Sequence, residues 1–292
     1  MPVRSVSLMD INAHTQFCGV IGNPVEHSLS PAIHNAAFQA LGINCVYLAW
    51  KVEAIGEALR GLRALGNFRG ASVTIPHKVA AMSFLDHVED TAARIGAINT
   101  IVAEQGRLGG YNTDATGALR ALREGGVELL GQHIVILGSG GAARAIAFAL
   151  SAGSGARHLT LLGIDDRERA ALAADLRSKT ALAVEDFQLD EATLARTLPE
   201  AQALIHCTPI GMSPDVEASC VPAPLLHAHL AVMDIVYNPR ETRLLQEAKR
   251  AGCRTIAGLE MFLHQAVAQF ELWTKQSAPV GVMRGVLESR FR

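Results

Sequence analysis

IVILGSGGAARAIA, residues 134–147, is the stretch that decides the fold. Ile134, Val135, Ile136 and Leu137 run straight into Gly138-Ser139-Gly140-Gly141, and an Ala-rich segment follows. That order is a buried strand, a tight turn and the start of a helix. Gly138, Gly140 and Ala143 fit the G-x-G-x-x-G/A spacing of a dinucleotide-binding turn. Gly138 can take a backbone angle that a Cβ forbids, Gly140 lets the main chain approach a pyrophosphate, and Ala143 lets the helix pack close to the strand. The free N–H groups of the first helical turn, where Gly141 and Ala142 lie, then face the phosphates with the helix dipole behind them. A nucleotide cofactor is expected here.

Outward from this turn, short apolar runs alternate with longer amphipathic ones. Downstream, strands are expected at 134–137, 158–162, 204–207 and 232–235, with a candidate at 255–257. Helices are expected at 142–151, 167–177, 191–197 and 241–251, followed by a long helix at 259–275 and a shorter one at 280–290. This is the order of a doubly wound sheet. Upstream, strands are read at 17–21, 46–52, 71–75, 99–103 and 108–112, and helices at 32–41, 53–65, 77–85, 90–95 and 113–124. The fold class is therefore α/β in two domains, an N-terminal α/β domain and a Rossmann-type doubly wound nucleotide-binding domain. Two such units leave a cleft in which ligands usually bind.

The 292 residues suffice for two cores, and 49% of them are hydrophobic. A net charge of −2 gives no electrostatic reason to expect nucleic acid or an anionic membrane surface. The most apolar long stretch, residues 134–153, is interrupted by glycines and Arg144, so no membrane span is expected. The first residues lack the apolar core of a signal peptide. Five scattered cysteines without a C-x-x-C pair read as reduced, buried thiols of a cytoplasmic protein. His227 and His229 stand two apart, but no acidic or Cys partner lies at ligand spacing, so no metal site is read.

Three polar clusters precede the glycine turn. Ser28-Leu29-Ser30-Pro31 sits just before a helix, and capping alone would explain it. Val73-Thr74-Ile75-Pro76-His77-Lys78 reads as a strand end with a lysine. Ala97-Ile98-Asn99-Thr100 and Asn112-Thr113-Asp114 supply turn and cap residues. Taken together with the glycine turn, these clusters resemble shikimate dehydrogenase and the related quinate/shikimate dehydrogenases. The resemblance runs through GVIGNPVEHSLSPAIHNAAF from Gly19, VTIPHK from Val73, GAINT from Gly96, NTDATG from Asn112, GSGGAARA from Gly138, the TPIGM loop from Thr208 and the Gln265 helix.

The resemblance implies a reversible oxidoreductase that reduces the ring ketone of 3-dehydroshikimate with NAD or NADP. It divides the chain into a substrate-binding and catalytic domain, 1–114 plus 258–292, and a dinucleotide-binding domain, 115–257. It implies that Ser28 and Ser30 hold the substrate carboxylate, that Thr74, Asn99 and Gln265 bind ring hydroxyls or carboxylate, and that Tyr237 lies near the cleft. Lys78 and Asp114 would flank the reacting C–O group. A lysine ammonium is a compact proton donor and stabilises a developing alkoxide, while Asp114 orients it and accepts a substrate hydroxyl. Gly138, Gly140, Gly141, Ala142, Asp165, Thr208 and Gly258 would contact the cofactor. A quinate dehydrogenase, or a regulator that kept the fold and lost catalysis, are the competing readings; the presence of Lys78 and Asp114 speaks against the regulator. A small-molecule substrate and a monomer or homodimer are expected.

Two departures from the family pattern stand out. NADP-using members carry Asn-Arg-Thr after the second strand of the nucleotide domain, where this chain has Gly163-Ile164-Asp165-Asp166-Arg167. An acid there suits a ribose 2′-OH and repels a phosphate, which favours NAD; the structural alternative is that Asp165 or Asp166 caps the following helix. The second is His206-Cys207-Thr208, where the family usually has Asn-Ala-Thr. His206 is read as a core histidine and Cys207 as a small buried hydrophobe.

Overall fold

The computed structural model describes residues 10–153 and 155–291. The chain runs β1 (Gln16–Gly22), α1 (Ser30–Ala40), β2 (Cys45–Lys51), α2 (Ile55–Arg63), β3 (Phe68–Val73), β4 (His87–Val88), α3 (Asp90–Ile95), β5 (Thr100–Glu104) and β6 (Arg107–Tyr111). It continues through α4 (Thr113–Glu124), β7 (His133–Leu137), α5 (Gly141–Gly153), β8 (His158–Gly163), α6 (Asp166–Lys179), β9 (Ala183–Gln188), α7 (Glu191–Thr197) and β10 (Ala203–His206). It ends with β11 (Ala231–Asp234), α8 (Arg243–Arg250), β12 (Arg254–Ala257), α9 (Gly258–Thr274) and α10 (Val280–Ser289).

These elements form two compact units. The first takes in the chain up to Ala92, Ile98–Tyr111 and the chain from Gln269 onward; the second takes in Ala93–Ala97 and Asn112–Ala268. They differ from the boundaries drawn on the sequence mainly in α9, whose first turns, and Asn112–Asp114, cluster with the second unit.

The second unit carries an all-parallel sheet in the order β12-β11-β10-β7-β8-β9. β7 explains why its sequence is continuously apolar instead of alternating. Ile134 and Ile136 face one cluster, with Ala143, Ile146 and Leu172, while Val135 and Leu137 face another, with Leu204, Leu244 and Leu245. A parallel strand covered on both faces needs apolar residues at every position. The helices start on side-chain caps: Asn112 for α4, Asp165 for α6, Asp190 for α7 and Thr242 for α8. Each such cap contributes about 1 kcal/mol.

The first unit carries a mixed sheet, β2-β1-β3-β5-β6-β4, with β1, β2 and β3 mutually parallel and β5 antiparallel to β3 and β6. An aliphatic cluster containing Ile21, Leu59, Val73 and Ile101 fills one side. A polar-aromatic cluster gathers elsewhere: the His34 ring stacks on Tyr47 with centroids 4.5 Å apart, and Phe38 lies 5.3 Å from Phe270. Trp273 donates from Nε1 to the Ile101 carbonyl at 2.8 Å. Gly70 makes this possible, because a Cβ there would lie 2.4 Å from Trp273 Nε1.

Some expectations fail locally. The helix expected at 77–85 is only a 3-10 segment, Ala80–Phe84. Pro76 and the tertiary contacts of His77, whose Nε2 lies 2.7 Å from the Val52 carbonyl, leave no regular first turn. β9 went unforeseen because AVEDFQ mixes charge into an edge strand, and β4 is too short to carry a pattern. Among the described residues no helix is long and apolar enough to cross a membrane.

His34 is fully buried with no well-aligned hydrogen bond on either ring nitrogen, and burial, opposed by the nearby Gln269 amide, pushes its pKa down to about 3. The folded chain therefore refuses a proton that the unfolded chain accepts near its ordinary value. Stability through this residue is complete above about pH 6.5 and falls as the pH drops toward 3, by up to about 1.4 kcal/mol per pH unit. Urea unfolding at a series of pH values should show this acid slope in the wild type and a shallower one in His34→Phe. Equal slopes would refute it.

Candidate functional site

In the first unit, the carboxyl ends of parallel β1 and β3 collect the polar residues singled out in the sequence. β1 leads into the loop carrying Ser28 and Ser30. β3 leads into Thr74 and Lys78. Asn99 immediately precedes β5, and its carbonyl accepts the Val73 N–H at 2.8 Å. Ile98 N–H donates to the Lys78 carbonyl at 2.9 Å, which fixes the lysine backbone beside Asn99. Thr74 sits over Gly22, where a Cβ would lie 2.3 Å from its methyl group. Lys78 is half-buried, while Ser30 and Asn99 are buried.

A directed hydrogen-bond chain backs this edge. Gln269 donates from Nε2 to the Asn99 carbonyl and to Thr100 Oγ1, at 3.2 and 3.0 Å. That fixes its amide, so Oε1 accepts from Ser72 at 2.7 Å. Ser72 then accepts from the Tyr47 hydroxyl at 2.6 Å. Burial pushes the Tyr47 phenol up, and its hydrogen bonds with Ser72 and Ser30 oppose that shift. At the other end Thr100 donates to Asn99 Oδ1 at 2.8 Å. The chain thus commits the Ser30 proton inward, toward Tyr47. Ser28 differs, since its Oγ accepts the Ser30 N–H at 3.3 Å and keeps its proton for an outside acceptor. Tyr47, Ser72 and Gln269 escaped the sequence reading because each lies on a strand or helix with no local signature.

In the second unit, the strand order reverses between β7 and β10, and both carboxyl ends carry candidate residues. Gly138 has φ +105°, and a Cβ on it would lie 3.0 Å from the Cys207 carbonyl. A Cβ on Gly140 would have its nearest neighbour 4.0 Å away, and one on Gly141 none within 4 Å. The turn is therefore tight underneath and open above, with the N-terminus of α5 behind it and half-buried Ala142 in its first turn. That cradle suits a pyrophosphate at a topological switch point.

Beside it, His206 is buried in a network. Its Nδ1 lies 2.9 Å from Asp234 Oδ1, the residue opposite it in the β10–β11 register, and its Nε2 lies 2.5 Å from Thr208 Oγ1. Asp234 Oδ2 accepts from Thr242 at 2.5 Å, and Oδ1 also accepts the Val236 N–H at 3.0 Å. Burial opposes a charged ring, but the bonds to Asp234 and Cys220 prevail and raise its pKa to about 9. A doubly protonated ring donates to both neighbours. Thr208 then accepts from His206 and from the Ile210 N–H at 3.3 Å, so its own proton is left for an acceptor outside the network. The core-histidine reading holds, and the residue also orients the TPIGM loop. Burial pushes the Cys207 thiol up, so it stays a neutral small residue.

Asp165 caps α6, with Oδ1 accepting the Glu168 N–H at 2.9 Å. Glu168 reaches back to the glycine turn and accepts from Ser139 Oγ at 2.9 Å. Arg169 contacts Asp166, Asp186 and the Gly163 carbonyl, so its guanidinium is already committed. Asp114 is buried in the first turn of α4. Gln265 is buried on α9 and donates to the Phe262 carbonyl, and Tyr237 is half-buried with its ring 4.9 Å from Phe262. Gly258 opens α9 where a Cβ would lie 2.5 Å from the Ile235 carbonyl carbon.

Residues 20–101 match the shikimate dehydrogenase substrate binding domain, and 258–288 match the shikimate 5′-dehydrogenase C-terminal domain. A shikimate dehydrogenase (NADP(+)) of Moorella thermoacetica is 46% identical over 96% of this chain and 95% of its own. The chain belongs to the shikimate dehydrogenase family. Another family member, from Methanopyrus kandleri, is 46% identical over 99% of this chain and 100% of its own. The structure of the shikimate 5-dehydrogenase of Listeria monocytogenes, in complex with shikimate and NAD, superposes with a TM-score of 0.90 at 36% identity, covering 95% of this chain and 98% of that one. In this shikimate dehydrogenase family member, His206 is held in the buried pair with Asp234.

Because the folded pKa of His206 lies above its unfolded value, its stabilisation is complete below about pH 6.5 and is lost as the pH rises through about 9. The loss is on the order of 3 kcal/mol. His206→Asn should flatten the alkaline side of a stability profile, and an unchanged alkaline slope would contradict the pairing. Gly258→Ala should lower the unfolding free energy by more than about 1 kcal/mol, because its methyl group meets backbone that has nowhere to move. Thermal melts check the second outcome.

Proposed function

We infer that the chain is a shikimate dehydrogenase, which interconverts 3-dehydroshikimate and shikimate with NAD or NADP. Family membership along nearly the full chain supports this. The observation that carries it is the carboxyl edge of the second sheet: an open glycine turn at the switch point, flanked by Thr208, fits a dinucleotide. The bound dinucleotide supplies or takes up the hydride. Gly138, Gly140, Gly141 and Ala142 would hold its pyrophosphate, Thr208 and Gly258 its nicotinamide half, and Asp165 its ribose.

The first unit and Gln265 take the substrate. Ser28 donates to the carboxylate, Ser30 helps place it, and Thr74, Asn99 and Gln265 hydrogen-bond the ring. Tyr237 borders the same site. Lys78 protonates the oxygen that becomes an alkoxide as the carbonyl carbon is reduced, and its charge stabilises that oxygen first. Asp114 accepts a hydrogen bond from the reacting or neighbouring hydroxyl and orients the lysine. The carboxylates of Asp165, Asp166 and Glu168 disfavour a 2′-phosphate and Arg169 is committed elsewhere, which favours NAD; exposed Arg167 is the cation through which NADP would be held instead. The enzyme works in the cytoplasm as a monomer or homodimer, without nucleic acid.

Absorbance of the reduced cofactor, with shikimate or quinate crossed against NAD or NADP, tests the whole reading. Shikimate with NAD should give the highest kcat/KM; turnover of quinate alone, or of neither acid, would overturn the assignment. Lys78→Ala should lower kcat by roughly 10²–10⁴ with KM changed only a few-fold. Ser28→Ala should raise the KM for shikimate more than Ser30→Ala does, because only Ser28 keeps its proton for the carboxylate.

A further inference from the structure

The proposed reaction makes no use of Glu124, Glu260 or His264. Glu124 ends α4, while Glu260 lies in the first turn of α9 with His264 four residues on, one turn along the same face. Their ligand atoms, one from each residue, all lie within 4.8 Å of one another. His264 Nε2 stands 2.9 Å from Glu124 Oε2 and 4.0 Å from Glu260 Oε2.

Three features set this group apart from a surface ion pair. His264 is almost fully buried, yet neither ring nitrogen has a hydrogen-bond partner. The short approach of Nε2 to Glu124 therefore lacks the alignment of a hydrogen bond. Second, Glu124 is held from behind: Arg120 Nε donates to Oε1 at 2.9 Å, which turns Oε2 toward the imidazole. Third, the donor spacing fits one small ion. Zinc binds imidazole nitrogen and carboxylate oxygen at about 2.0–2.2 Å, so neighbouring donors in a tetrahedral shell stand roughly 3.3 Å apart. The two observed separations bracket that value, and both glutamates have flexible stems.

We propose that Glu124, Glu260 and His264 bind a divalent transition-metal ion of the zinc class, which clamps the end of α4 to the start of α9. One imidazole and two carboxylates neutralise the ion and leave a fourth position for water. The mechanical consequence follows from Gly117, where a Cβ would lie 2.8 Å from the Gln265 backbone nitrogen. The two helices already touch there, and Glu124 lies about 10 Å further along α4. A second attachment would prevent them from rolling about the Gly117 contact. α4 carries Asp114 and α9 carries Gln265, so the clamp would stiffen both.

The test is calorimetric titration of ZnCl2 into chelator-treated full-length protein, with Glu124→Gln and Glu260→Gln as variants. Both side chains reach solvent, so each variant should fold, and circular dichroism checks this. The wild type should bind one more equivalent of Zn²⁺ than either variant, or bind it at least tenfold more tightly. Zn²⁺ should also raise the melting temperature of the wild type only. Equal stoichiometry and affinity in all three proteins would overturn the site, because binding would then belong to other surface histidines. Dehydrogenase activity is not the readout, so a failure here leaves the proposed reaction standing.

Discussion

The structure of the second unit depends on one steric constraint. A strand buried on both faces must end in a turn with no side chain underneath it. β7 is apolar at every buried position because helices cover both sides of the sheet. Gly138 then turns directly over the Cys207 carbonyl, where a Cβ would be crowded at 3.0 Å and the φ of +105° would strain any side chain. The same close approach places Thr208 beside the glycine turn and opens the upper side of the turn at Gly140 and Gly141. Burial, turn and ligand cradle are consequences of the same packing.

A second theme is the way buried polar groups are oriented. In the first unit, the Gln269 amide is anchored on a main-chain carbonyl, and this anchor sets the direction of every hydroxyl from Thr100 to Ser30. In the second unit, Asp234 anchors His206, and His206 orients Thr208. In both cases a buried partner decides which hydroxyl keeps a proton to offer. Such networks are costly when broken, because each buried member left without a partner loses its hydration as well.

The two buried histidines also oppose each other in pH. His34 has aromatic neighbours and no well-aligned hydrogen bond, so burial keeps it neutral and penalises acid. His206 has a carboxylate opposite it in the sheet, so it is held charged and its stabilisation fades toward alkaline pH. The contributions of these two residues are both complete only near pH 6.5, between the two limits. The titrations are local to their own clusters, which is why one residue type produces two signs.

Much of this was legible in the sequence. The glycine turn, the strand before it and the helix after it are consecutive residues, so local sterics and hydrophobic pattern determine them. The polar clusters around Ser28, Lys78, Asn99 and Asp114 were also legible as short motifs. Where the sequence misled, long-range contacts prevailed: residues 77–85 became a 3-10 segment under the hold on His77, and β9 formed from a charged segment because a sheet edge was available. Asp165 fitted both ribose recognition and capping on sequence grounds, and the fold shows the cap. Only tertiary structure could bring Gln269 to Ser72, His206 to Asp234, or Glu124 to His264. Each of these pairs joins residues far apart in the chain, and no local preference encodes their meeting; the packing of strands and helices decides it.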